Sequence, residues 1–68
     1  VNIHEDIPRL SVKPSTAAEM LGLSRGTLAN WRAEGRGPRY VKLGKDVLYR
    51  VSDIESWLDA QPTIGGAA

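Results

Sequence analysis

The stretch from Ala17 to Trp31, AAEMLGLSRGTLANW, limits what this chain can fold into more than any other segment does. Ala17, Ala18 and Leu21 recur at helical spacing and share one face. Gly22 follows them, a residue free to take positive φ and so to end that helix. Leu23 fills the turn, and Ser24 offers an N-cap oxygen to a second helix, on which Leu28 and Trp31 repeat at i, i+3. Two helices crossing through so short a turn leave room for little more than a methyl group, which Ala18 supplies. The spacing predicts a helix-turn-helix.

The flanking sequence extends that expectation. Leu10-Ser11-Val12 reads as an extended lead-in, with Pro14 in the first turn of a helix that runs to about Leu21. The second helix is expected over roughly Arg25 to Glu34, stopping at Gly35 with Pro38 just beyond. From Arg39 the apolar period changes from 3.6 to 2. Val41, Leu43, Val47, Tyr49 and Val51 take one parity; Tyr40, Lys42, Leu48 and Arg50 take the other. For the first set to share an inner face, a hairpin needs the three-residue loop Gly44-Lys45-Asp46, pairing Leu43 with Val47. A third helix is expected to open on a capping box, Ser52 to Glu55, to bury Ile54, Trp57 and Leu58, and to close at Pro62. The fold class is mainly α with a β-hairpin wing, a winged helix-turn-helix over residues 10–61. Residues 1–9 and 62–68 read as a flexible N-terminal segment and a flexible tail.

Sixty-eight residues without cysteine must be held by packing alone, with neither a disulfide nor a thiolate metal site. No apolar run approaches the roughly 18 residues that a membrane span needs, and the N-terminus has no signal-peptide core. A cytoplasmic protein with no membrane partner is expected. The net charge is only +1, yet it is segregated along the chain. From Ser24 to Arg50 seven cations face Glu34 and Asp46, a net of +5; the remainder carries two cations against six anions, a net of −4. Such a patch is the footprint of a polyanion-binding surface, and with the helix-turn-helix spacing it indicates a module for double-stranded DNA.

On the second helix, taking Leu28 and Trp31 as buried turns Gly26, Ala29, Asn30 and Ala33 outward and leaves Arg25, Thr27 and Arg32 on the flanks. Small outward residues let the backbone approach a groove floor but read little sequence. Asn30 has the chemistry for a bidentate contact to adenine, and Ala29 for a thymine methyl. Ser24 is an N-cap first, and with Thr27 it sits where a phosphate meets the positive helix end. Arg25 suits a phosphate or a guanine equally. On the wing, Lys42 and Arg50 are expected on an outer face with Lys45 at the tip, and Arg36 and Arg39 approach from the connecting loop. Leu48 is an apolar residue on that outer face, either a lone exposed leucine or a contact with a neighbouring protomer.

These residues resemble the small excisionase-type winged-helix proteins of phages and integrative elements. The likeness covers about Ser15 to Leu58. It rests on Ala18-Glu19-Met20-Leu21-Gly22-Leu23-Ser24-Arg25, on Trp31 followed by Glu34-Gly35, on Gly37-Pro38 and Leu43-Gly44, and on Tyr49-Arg50 leading into Ser52-Asp53-Ile54 and Trp57-Leu58. The chain is also similar to the DNA-reading end of MerR-type regulators. The resemblance implies an accessory factor of site-specific recombination that binds attachment-site DNA cooperatively, bends it, and biases a phage integrase toward excision. Leu48 stands where such proteins often carry a basic residue, and Asn30 where larger or basic ones are frequent.

Three functions follow for comparison: a recombination directionality factor, a stand-alone transcriptional regulator, and a winged helix used only to bind protein. The charge segregation argues against the last. A monomer that assembles with itself in tandem on DNA is expected, with no catalytic group, cofactor, metal or small-molecule ligand. His4 is the sole histidine, and the adjacent His4-Glu5-Asp6 side chains are poorly disposed to converge on an ion.

Overall fold

The computed structural model describes residues 9–66, so the expectations for His4-Glu5-Asp6 and for most of the N-terminal segment lie outside it. The chain runs β1 (Ser11–Val12), α1 (Pro14–Leu21), α2 (Arg25–Ala33), β2 (Val41–Leu43), β3 (Asp46–Arg50) and α3 (Val51–Asp59). The three strands form one antiparallel sheet in the order β1-β3-β2. The wing is therefore a hairpin extended by the lead-in strand, with β3 in the middle.

Local signals set the first two helices. Pro14 begins α1, where its missing N–H removes no helical hydrogen bond. Gly22 ends it at φ 73°, and the Leu23 N–H reaches back to the Ala18 carbonyl at 2.8 Å, which together make a Schellman close. The Ser24 hydroxyl oxygen accepts the Thr27 N–H at 3.1 Å and so caps α2 as expected. α2 closes as α1 does, with the Arg36 N–H donating to the Trp31 carbonyl at 2.7 Å.

The core is Val12, Ala17, Ala18, Leu28, Tyr49 and Ile54, with Leu21, Val47 and Val51 packed around it. Ala17 and Ala18 bring α1 against α2 and β3. Tyr49, only 1 % exposed, lies opposite Val12 in the ladder, and its hydroxyl accepts a hydrogen bond from the Arg32 guanidinium at 3.2 Å. Trp31 and Trp57 meet with ring centroids 5.6 Å apart and tie α2 to α3. The loop after α2 passes beneath Trp31, where a Cβ on Gly37 would stand 3.3 Å from the indole.

Three sequence expectations are corrected. The hairpin loop has two residues, because Leu43 pairs with Asp46 and Lys42 with Val47. Gly44 has φ 63° and, among the described residues, no non-glycine residue has positive φ, the pattern of a type II′ turn, whose twist matches the flanking strands. Tyr49 and Val47 still face inward, but Val41 and Leu43 now lie with Leu48 on the opposite face. β2 is a peripheral strand of three residues, and its apolar parity was too weak to set the register.

The second correction concerns α3, which starts at Val51 with Arg50 as N-cap and no side-chain cap. Pairing of Ser11 with Arg50 and donation of the Val51 N–H to the Leu10 carbonyl at 3.0 Å turn the chain directly from strand to helix. Ser52 therefore sits inside the first turn, and the expected capping box does not form. Third, Leu58 is 54 % exposed; only Ile54 of the anticipated stripe is fully buried, and Trp57 is half-buried. Among the described residues no helix is long and apolar enough to cross a membrane.

Three substitutions test this packing. Ala18→Leu is expected to cost about 1–3 kcal/mol of unfolding free energy in urea titrations, through overpacking between α1, α2 and β3. Glu19→Ala, on the exposed side of the same helix, should stay within about 0.5 kcal/mol of the parent. Tyr49→Phe keeps the ring and removes the acceptor for Arg32; about 1 kcal/mol should be lost with the far-ultraviolet spectrum unchanged.

Candidate nucleic-acid interface

Burial of Leu28 fixes how α2 is turned about its axis. Arg25, Gly26, Asn30 and Ala33 are exposed, whereas Thr27 and Ala29 are half-buried. The outward row is thus narrower than sequence periodicity indicates, since Ala29 lies toward the flank. Asn30 is its one side chain with paired donor and acceptor groups. At the N-terminus, Ser24 Oγ also donates to Thr27 Oγ1 at 2.8 Å. That leaves the Thr27 hydroxyl hydrogen to donate outward, beside the unpaired N–H groups of the first turn.

Arg32 is held differently from the other cations. It is half-buried, hydrogen-bonded to the Tyr49 hydroxyl, and its guanidinium lies 5.9 Å from the Tyr40 ring centroid. Tyr40 in turn lies 5.9 Å from Tyr49. Arg36 is fixed over Trp31 at 5.2 Å and pairs with Glu34 at 3.2 Å, an exposed ion pair that adds little stability. Arg32, Arg36, Arg39 and Tyr40 surround one concave stretch of the α2–β2 loop. Three arginines lining one depression with an exposed tyrosine have the chemistry to hold a phosphate and to stack on a base or sugar.

Sequence reasoning gave Tyr40 no role. The signal was there, an aromatic residue directly after the Arg36-Gly37-Pro38-Arg39 run, but its assignment to the outer row of the wing concealed it. Tyr40 is 44 % exposed, so it is available to a ligand while still braced by Tyr49.

On the wing, Lys42 and Lys45 are exposed, the first opposite Val47 and the second in the turn. Opposed residues in a ladder point to the same side, so Lys42 shares the face of Val47 and Tyr49, the face against which Arg32 of α2 is docked. Arg50 lies on the other face with Leu48 and Ser11. The expectation that Lys42 and Arg50 share an outer face is thereby corrected. Arg50 is also engaged with Asp53 at 3.5 Å across the strand-to-helix junction. Arg25, Arg32, Arg36 and Arg39 belong to α2 and its following loop, Lys42 to the Tyr49 side of the wing and Lys45 to its turn, whereas Arg50 lies on the other face.

A capped helix with small outward residues, next to a cationic loop and hairpin, is an arrangement suited to duplex DNA. Comparison with known families agrees with it: residues 12–62 match the helix-turn-helix domain, from the end of β1 to just past α3. Among curated proteins, none matches the chain. The matched span is most of the sequence, and the chain belongs to this helix-turn-helix domain family, which includes excisionase-type DNA-binding proteins.

Proposed function

We propose that this protein is an excisionase-type accessory factor, acting in the cytoplasm of a bacterial host. It binds attachment-site DNA in adjacent copies, bends the duplex, and biases a phage integrase toward excision. α2 enters the major groove with Asn30 toward base edges, while Gly26 and Ala29 let the backbone approach. Ser24, Thr27 and Arg25 hold phosphate at the helix start. Arg32, Arg36, Arg39, Lys42 and Lys45 hold the backbone on either side, with Tyr40 among them. Arg50, on the opposite face of the sheet, is outside this set.

One observation carries the proposal: the exposed row of α2 is nearly devoid of base-reading side chains, while the surface beside it is strongly cationic. Such a unit binds through the backbone and through duplex shape more than through base edges. A single copy discriminates poorly, and several copies on adjacent sites gain selectivity together. An architectural role in recombination uses those properties; the residue-by-residue resemblance to excisionases points the same way.

Contact roles separate by salt and by sequence. Lys45→Ala should weaken binding about equally on all duplexes and reduce the slope of log K against log salt by about 1. Arg25→Ala should cost about 1–3 kcal/mol on the preferred site alone if the guanidinium pairs with a guanine, and a uniform amount on every duplex if it holds a phosphate. No loss on any duplex removes Arg25 from the interface. The decisive assay is recombination by the neighbouring integrase on both attachment-site pairs, with and without this protein. Excision should rise and integration should not. Unchanged recombination with repression of a nearby promoter supports a stand-alone regulator instead.

A further inference from the structure

The arginines of this chain are held in unlike ways. Arg36 pairs with the Glu34 carboxylate at 3.2 Å and Arg50 with the Asp53 carboxylate at 3.5 Å, so part of each charge is answered within the chain. Arg32 is half-buried, and among the described residues it forms no ion pair. Its hydrogen-bond acceptor is the Tyr49 hydroxyl, at 3.2 Å. A cation partly withdrawn from water is costly unless an anion answers it. Within the fold, Arg32 is oriented but not neutralised.

The group that orients it is itself fixed. Tyr49 is fully buried in the middle strand of the sheet, opposite Val12. The Tyr40 ring rests 5.9 Å from the Tyr49 ring and 5.9 Å from the Arg32 guanidinium carbon. A hydrogen bond and an aromatic face thus define where the guanidinium lies. One of its N–H groups goes to Tyr49, and the rest of the planar fork remains for an oxyanion. That fork belongs to the depression that Arg36, Arg39 and Tyr40 also line. A carboxylate in place of the phenol would hold the arginine as firmly and cancel much of its charge. The phenol holds it and cancels nothing.

We propose that Tyr49 is a positioning residue for DNA binding: its neutral hydroxyl sets the Arg32 guanidinium for a backbone phosphate while leaving the charge whole. The inference rests on the reading of this face as a DNA interface. Ordering a long side chain on binding opposes affinity, and Tyr49 has already ordered this one in the free protein. A lysine at position 32 would not serve, because a single ammonium nitrogen lacks the fork that meets the phenol and the phosphate at once.

The test is a double-mutant cycle on DNA binding. Fluorescence anisotropy follows the full chain on a short duplex selected from a random pool, over a range of salt, at a temperature where circular dichroism shows each variant folded. Tyr49→Phe should weaken binding about three- to ten-fold at every salt concentration and leave the slope of log K against log salt unchanged, since the guanidinium charge remains. Arg32→Ala should lower that slope by about 1. The double variant should bind within about two-fold of Arg32→Ala alone, because Tyr49 acts only through Arg32. Arg32→Lys should keep the parental slope yet bind at least about three-fold more weakly. Losses that multiply in the double variant overturn the proposal, as does Tyr49→Phe at parental affinity. Arg32→Lys at parental affinity overturns it too, and that arm stands even where Tyr49→Phe does not stay folded. A parent that binds duplex while Arg32→Ala binds equally well removes this inference and leaves the DNA-binding reading intact. A parent that binds no duplex overturns both.

Discussion

The inward orientation of Tyr49 is the constraint on which the other features depend. A strand alternates its side chains, so burying this ring on the α1–α2 side fixes every other residue of β3. Val47 must go in with it, and Leu48 and Arg50 must go out. The buried phenol also needs a hydrogen-bond partner, since an unsatisfied hydroxyl in the interior costs about 1–3 kcal/mol. Arg32 supplies that partner from α2. One polar contact thus couples the strand in the middle of the sheet to the helix that would read DNA.

That coupling explains how so small a core defines an interface. Leu28 sets which side of α2 faces inward, and Arg32 holds its C-terminal half against β3. The exposed row containing Asn30 is then a consequence of packing on the far side. The following loop is positioned by aromatic surfaces: Gly37 lies against Trp31, Arg36 over the same indole, and Tyr40 against Tyr49. Guanidinium groups braced on rings lose less freedom when they meet a phosphate than groups on a bare loop. A cationic surface held this way is preorganised even though few of its residues are buried.

The parts of the fold legible in sequence are those decided by near neighbours. Pro14, Gly22, Ser24 and the Leu28–Trp31 spacing each act within about one helical turn, and the helix-turn-helix they predict is the one observed. The parts that were not legible depend on residues far apart in the chain. β1 pairs with a strand almost forty positions later, and that pairing both makes Arg50 a strand residue and places the Leu10 carbonyl over Val51. The Ser52–Glu55 spacing satisfies the capping pattern, but the helix starts two residues earlier, through a contact that the local sequence does not encode. The hairpin register failed for a related reason. Alternation across β2 predicts burial of Val41 and Leu43, but three peripheral residues have little influence against Tyr49, Val47 and a glycine suited to a tight turn. At the site, the cations were visible from composition, but which of them share a face was not, because that follows from register alone.

The displaced parity has a further consequence. A domain of this size has little apolar surface to waste, yet Leu10, Leu43 and Leu58 stand largely in water, while a six-residue core carries the fold. The register puts Leu43 on the face away from Tyr49, where it is exposed and adds nothing to the core. The exposed row of α2 carries base-reading chemistry only at Arg25 and Asn30, so a single copy proposed to read DNA through it selects its site weakly. Under the proposed function, copies on adjacent sites would together gain the selectivity that one helix lacks.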